Sequence, residues 1–260
     1  MVGFSEAKEE GRSLLVDIGN TNLKWCWLQG GARTRIDHAP HRDSPTARLL
    51  DRIWRDSETP KQILIANVAA PALNIHIEDW VEKEWRCPIR VLQSERIFAG
   101  VTNAYRTPAQ LGVDRWLTLV AARRFYPHDI CIVDCGTAVT IDLLRRDGEH
   151  LGGQILPGFD LMRQSLLERT HIPRVDSDLS EIPLLGRDTR SAVAAASLFS
   201  VIALITYVMR QARSLMDSAP MLLLTGSDSE RVASGLGRDT VVDLDLIMKG
   251  MAIYAEESKL

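Results

Sequence analysis

Residues 14–22 read LLVDIGNTN: an apolar run that ends in Asp17, then a small, polar turn. The run has the length and composition of a buried strand. A second apolar run at 23–28 follows, so the turn Gly19-Asn20-Thr21-Asn22 predicts a β-hairpin. The arrangement returns at 131–140, CIVDCGTAVT, where a strand ends in Asp134, turns at Cys135-Gly136-Thr137 and continues as a strand over 138–144. One Asp-x-Gly turn is ordinarily only a turn, because Asp, Gly and Asn favour that conformation. Two of them, each closing an apolar strand and each opening a hairpin, point to a pair of phosphate-binding turns. The strand aims the carboxylate, glycine lets a polyanion approach the backbone, and the Asn, Thr and backbone N–H groups donate to phosphate oxygens.

Working outward, residues 62–68 (QILIANV) predict a short β-branched strand, and residues 74–85 a helix with Ile77, Trp80, Val81 and Trp85 on one face. Residues 90–92 predict a further short strand, and 103–112 a turn-rich stretch. The spacing of Trp116, Leu117, Val120 and Ala121 predicts an amphipathic helix over 114–125. In the second half, strands are expected over 130–134, 138–144, 150–156, 221–225 and 241–242. Helices are expected over 159–168, from about 191, from 229 and over 245–257, with a polar loop over 170–190. Each half therefore opens with a hairpin and then alternates strands and helices. The pattern predicts two copies of one α/β domain, residues 1–114 and 115–260, with no flexible linker between them.

The chain has 260 residues, 45% of them hydrophobic and 25% charged, which suits a globular protein with a large core. A formal net charge of −3 gives no electrostatic reason to expect nucleic acid. Cys26, Cys87, Cys131 and Cys135 form no C-x-x-C pair and no zinc spacing, so a reducing cytoplasmic setting without a structural metal is expected. Residues 1–13 lack an apolar signal core and read as a loose extension. Residues 191–209 carry no charge and are long enough to span a bilayer. Their alanines, serines and Thr206 fit better a helix buried between domains or at a subunit interface, and no membrane association is expected.

Six ordered motifs carry a resemblance. They are D-I-G-N-T at 17–21, Y-R-T-P-A-Q-L-G-V-D-R at 105–115, D-C-G-T-A-V-T-I-D at 134–142, G-G-Q-I-L-P-G at 152–158, L-G-R-D-T at 185–189 and L-T-G at 224–226. The two hairpins resemble the phosphate motifs of the superfamily of acetate and sugar kinases, Hsp70 chaperones and actin. The full set resembles the type III pantothenate kinase family, and the L-G-x-D-R block separates that family from the sugar kinases.

The resemblance implies two ribonuclease H-like domains in an actin-like fold with a nucleotide cleft between them. It implies ATP-dependent phosphorylation of pantothenate, the first step towards coenzyme A, by a cytoplasmic homodimer whose second domain forms the interface. By the same resemblance, Asp17, Ile18, Gly19, Asn20, Thr21, Asn22, Leu23 and Lys24 wrap the ATP phosphates, with Asp17 near Mg²⁺, and Thr137 contacts ATP. Asp134 binds a monovalent cation, K⁺ or NH₄⁺. Tyr105, Gly112, Val113, Asp114, Arg115 and Thr189 bind pantothenate, and Asp114 accepts the hydroxyl proton. Taken alone, Asp114 reads as a helix cap, Arg115 as a surface or ion-pair residue and Thr189 as a loop residue. One departure stands out: the family's third nucleotide turn is T-G-G, and here it is Thr225-Gly226-Ser227-Asp228. The alternatives are a kinase for another small hydroxylated acid, and a regulator of the kind first described as a Bvg accessory factor. Intact Asp17, Asp114 and Asp134 argue against a scaffold without catalysis.

Overall fold

A computed structural model of the chain describes residues 11–42, 45–172, 182–216, 218–237 and 239–257. Their contacts gather them into two units. The first comprises the described residues of Met1–Ser94, Gly112–Leu117 and Ile247–Leu260; the second comprises those of Glu95–Leu111 and Thr118–Leu246.

The first unit begins with β1 (Ser13–Ile18) and β2 (Asn22–Gln29), an antiparallel hairpin in which Asp17 lies opposite Lys24. Two short strands, β3 (Ala32–Arg33) and β4 (Asp37–Pro40), both pair with β2. After α1 (Thr46–Trp54), β5 (Gln62–Asn67) runs parallel to β1. After α2 (Ala72–Glu84), β6 (Ile89–Val91) runs parallel to β5, giving the order β3-β2-β1-β5-β6. Every residue of β1 is buried, as its apolar run requires of a central strand. The helices cover the sheet with a tryptophan cluster. Trp54 stacks on Trp85 at 5.8 Å, Trp80 meets Trp85 edge-on at 4.9 Å, and the Trp80 indole N–H donates to Asp51 at 2.8 Å.

The second unit opens with a two-stranded ribbon, β7 (Ile97–Phe98) and β8 (Val101–Thr102), and a single 3₁₀ turn at Pro108–Gln110. The helix α3 (Val113–Phe125) has its first residues in the first unit. Then come β9 (Ile130–Cys135), β10 (Ala138–Leu144), β11 (His150–Pro157), α4 (Phe159–Arg169) and α5 (Thr189–Ala212). The chain continues through β12 (Met221–Thr225), α6 (Ser229–Leu236), β13 (Thr240–Val242) and α7 (Leu246–Glu257). The sheet order is β11-β10-β9-β12-β13, with the hairpin β9–β10 antiparallel and β12 parallel to β9. This repeats the β2-β1-β5-β6 core of the first unit strand for strand.

The long apolar helix α5 is among the described residues the one long and apolar enough to cross a membrane. It buries Ala194, Leu198, Val201, Ile205 and Val208 in the second unit's core, a stripe at helical spacing. Its start is fixed by a capping box: Asp188 accepts from the Ser191 N–H at 2.8 Å, and Ser191 Oγ accepts from the Asp188 N–H at 3.3 Å. Of the loop expected over 170–190, residues 173–181 lie outside the described residues, as do residues 1–10 of the expected extension.

A cut at 114/115 is expected from the sequence, whereas the contact division runs differently, because α7 packs with the first unit. The Trp116 indole N–H donates to Tyr254 Oη at 2.7 Å, and a side chain at Gly250 would run into the backbone of Leu117. The short elements β3, β4, α1, β7 and β8 add to those expected from the sequence.

Candidate active site

In the first unit, β1 ends at Ile18 and the turn 19–21 leads into β2. The Gly19 N–H donates to the Asn22 carbonyl at 3.0 Å, closing the turn. Just after β4, His41 Nε2 donates to the Gly19 carbonyl at 2.7 Å, so the ring carries its proton on Nε2. His41 is buried, and Asn20 and Thr21 are exposed on the turn. Asp17 is buried, and Lys24 lies across the strands from it. The Val68 N–H donates to the Ile18 carbonyl at 3.1 Å, which joins the ends of β1 and β5.

The start of α3 lies at this same end of the first unit's sheet. A side chain at Gly112 would meet Val68 Cγ1 at 3.9 Å and Asp114 Oδ1 at 2.5 Å. The Gly112 carbonyl accepts the first helical bond, from the Trp116 N–H at 3.0 Å, so Gly112 and not Asp114 holds the cap position. Asp114 sits in the first helical turn, half-buried, where the helix dipole favours its ionised form. Its Oδ1 accepts from the Arg115 backbone N–H at 2.7 Å. Arg115 is only 4% exposed, which excludes a surface role. Val113 is buried beside it.

In the second unit, β9 ends in Asp134 and Cys135, and Gly136-Thr137 turn into β10. Two further segments close on this turn. The Gly158 N–H, at the end of β11, donates to the Thr137 carbonyl at 3.0 Å. The Asp228 N–H, after β12, donates to the Cys135 carbonyl at 3.0 Å. Both approaches need glycine. A Cβ on Gly158 would lie within 3.0 Å of the Gly136 and Thr137 carbonyl oxygens, and one on Gly226, whose φ is +90°, within 3.0 Å of Asp134 Oδ1 and the Cys135 carbonyl. The site therefore gathers three of the sequence motifs. Ser227, the departure from T-G-G, is exposed.

Negative charge accumulates here. Burial, then the Asp134 and Asp228 carboxylates, push the Cys135 thiol up to about 12. Burial also raises Asp228 above the usual carboxylate range, Asp160 adds to this, and Arg231 and Arg163 oppose it.

The remaining expected residues lie in the second unit. Tyr105 is half-buried, its N–H donates to Asn103 Oδ1 at 2.9 Å, and its ring lies over His150. Thr189 is the exposed first residue of α5. The sequence reading missed His41 and Asp228. His41 follows a four-residue strand, β4, whose pairing no local pattern announces; Asp228 stands two residues after the T-G motif.

The architecture has known counterparts. A chain from Campylobacter jejuni described as a Baf family transcriptional activator matches with a TM-score of 0.61 and 23% identity, over 95% of this chain and 100% of that one. One from Sinorhizobium meliloti described as a 2-dehydro-3-deoxygalactonokinase matches with a TM-score of 0.59 and 14% identity, over 95% and 99%. These likenesses show the fold: α/β, two ribonuclease H-like domains of the actin-like class. With an Asp-x-Gly hairpin in each sheet, the class is that of the actin-like fold.

The sequence comparisons narrow it. The profile described as type III pantothenate kinase matches residues 13–211. The type III pantothenate kinase of Nitrosococcus oceani is 35% identical over 94% of this chain and 94% of its own, and that of Laribacter hongkongensis 36% over 94% and 99%. The chain belongs to the type III pantothenate kinase family.

Proposed function

We propose that this chain transfers the γ-phosphoryl group of ATP to the hydroxyl of pantothenate, with Asp114 as proton acceptor. The reaction opens coenzyme A biosynthesis. The oxygen–phosphorus bond to ADP breaks, the bond to the pantothenate oxygen forms, and the hydroxyl proton passes to the Asp114 carboxylate. The observation that supports this is the placement of Asp114: a carboxylate at a helix start, beside buried Arg115 and at the sheet end that carries the Asp17 turn. Arg115 pairs with the pantothenate carboxylate, helped by Tyr105, Gly112, Val113 and Thr189.

The turn from Asp17 to Lys24 holds the ATP phosphates, and Thr137 meets the nucleotide. Among the described residues no group of three or more His, Cys, Asp and Glu side chains gathers to hold a metal. Mg²⁺ arrives with ATP and needs only one or two protein carboxylates, here Asp17. The charge collected around Cys135 fits a monovalent cation, K⁺ or NH₄⁺, on Asp134. When bound, the two cations supply charge neutralisation. The working form is a cytoplasmic homodimer, and the exposed face of α5, with Ala192, Ala196, Ala203 and Tyr207, suits a partner copy.

The test is a screen of small hydroxylated acids with purified chain, ATP and Mg²⁺, in K⁺ and in Na⁺. Turnover of pantothenate that falls in Na⁺ is expected; turnover of another acid alone would overturn the assignment. Asp114→Asn should lower kcat by roughly 10² or more while the protein stays folded.

A further inference from the structure

We propose that His150 and Asp142 are positioning residues for pantothenate: together they hold the Tyr105 ring as a fixed wall of the acid's binding site. The inference rests on the reading of Tyr105 as a pantothenate contact. Neither His150 nor Asp142 belongs to the phosphate turns, and neither is needed for proton transfer.

The pair is built by an irregularity in the sheet. Along β10 and β11, Leu143 lies opposite Gly152, but Leu144 lies opposite His150, so Leu151 is an extra residue. In a regular ladder His150 would fall opposite Arg145, on the face away from Asp142. The bulge moves it by one place, onto the face that Leu144 shares with Asp142. Gly152, with φ +112°, absorbs the bend. The result is a dyad with side chains 0% and 2% exposed, in which His150 Nε2 donates to Asp142 Oδ1 at 2.9 Å. Burying two such groups is costly unless they are paired, so the pairing fixes the ring.

The other edge of the imidazole faces the substrate segment. His150 Nδ1 accepts from the Ala104 backbone N–H at 3.4 Å, which sets the tautomer with the proton on Nε2. The Tyr105 ring stacks on the imidazole, centroids 6.3 Å apart and planes 13° from parallel. Asn103 locks the same segment. It is buried, its side chain donates to the Glu95 carbonyl at 3.1 Å, and it accepts from the Tyr105 N–H. The backbone of 103–105 is thus fixed by Asn103, and the Tyr105 ring by His150. An aromatic wall that is already oriented loses no rotamer freedom when the acid binds.

Such a role acts on pantothenate affinity and not on chemistry or ATP. Four full-length proteins test it: wild type, Tyr105→Leu, His150→Gln and the double variant. Glutamine keeps a donor for Asp142 but removes the flat ring. His150→Gln should raise KM for pantothenate roughly three- to tenfold, the range of one aromatic stack. KM for ATP and kcat should stay within about twofold. The double variant should be no worse than Tyr105→Leu, because both changes act through one contact. His150→Phe with Asp142→Leu, which restores a stacking ring without stranding the carboxylate, should return KM towards wild type. If Tyr105→Leu raises KM for pantothenate but His150→Gln does not, the inference fails while the reading of Tyr105 stands. If Tyr105→Leu leaves KM unchanged, that reading itself fails and the inference with it. Should His150→Gln not fold, the paired change His150→Leu with Asp142→Leu, which leaves no buried group of the dyad unpaired, is read in the same way.

Discussion

The two Asp-x-Gly hairpins share a plan and differ in what holds them. Each carries an aspartate at the last-but-one place of a buried strand, and each has a parallel strand on its other side, β5 opposite Asp17 and β12 opposite Asp134. The turn after Asp17 is strapped by His41, whose ring donates to the Gly19 carbonyl and whose backbone N–H donates to the Thr21 carbonyl at 3.4 Å. The turn after Asp134 is clamped by backbone from Gly158 and Asp228, so closely that no side chain fits at Gly158 or Gly226. Across the strands, Asp17 faces a lysine and Asp134 a threonine. A lysine beside the carboxylate suits a turn that meets polyanionic phosphate. The second turn collects negative charge, which suits a cation. One strand plan underlies both, and the packing around each copy makes the two turns different.

Glycine substitution tests that difference with the largest expected effect. Gly226→Ala adds a Cβ at a left-handed φ and into the Asp134 carboxylate and Cys135 carbonyl, and should cost about 2–4 kcal/mol of stability. Gly158→Ala should cost a similar amount, because the obstructing atoms are backbone carbonyls that cannot turn aside. Gly19→Ala should behave otherwise. Its φ lies outside the left-handed region, and the nearest atom to an added Cβ is the Asn22 carbonyl at 3.5 Å, an ordinary contact. It should cost less than about 1 kcal/mol, with its effect appearing as a raised KM for ATP. Denaturant unfolding of the three variants decides it; equal losses would mean that the two turns are held alike.

The sequence made the hairpins legible because both signals are local: an apolar run of strand length, then a turn-forming quartet. The helical faces were legible for the same reason, Ile77, Trp80, Val81 and Trp85 on α2 above all. The clamping was not. Gly158 and Gly226 lie in motifs that stand out in the sequence, yet the reason each must be glycine is an atom 20 or more positions away. Ser227, the departure from T-G-G, is exposed, and the position of that turn that tolerates no side chain is Gly226. His41 and α7 share that obscurity, since strand pairing across a sheet and the return of a terminal helix leave no periodic trace.

His41 provides the next test, of intermediate size. Replacing it by Phe keeps the ring but removes the donor to the Gly19 carbonyl, which should cost about 1–2 kcal/mol. KM for ATP should rise a few-fold, since the Gly19 carbonyl is no longer tied back, and KM for pantothenate should stay unchanged. His41→Gln, whose amide can donate in place of Nε2, should recover most of both losses. A His41→Phe protein with normal ATP affinity would show that the strap serves folding alone.

The smallest effect concerns Asp228, the carboxylate that the second turn has and the first lacks. Its pKa is raised from the ordinary 3.8, first by burial and then by Asp160, against the pull of Arg231 and Arg163. A carboxyl with a raised folded pKa favours the fold only where it is protonated, below its ordinary value, and that contribution is lost as pH rises through the folded pKa. At neutral pH its ionisation therefore opposes folding. Asp228→Asn should raise Tm by about 1–2 °C at pH 7, and the gain should vanish near pH 3, where the carboxyl is neutral in both states. An equal gain at both pH values would trace it to packing, and a loss at pH 7 would show that Asp228 steadies the start of α6. The cation sharpens the comparison. If K⁺ sits on Asp134, it offsets the neighbouring charge, so the gain at pH 7 should be smaller in K⁺ than in a bulky organic cation. An Asp17→Asn protein, altered at the turn that faces Lys24, should show no such dependence on K⁺.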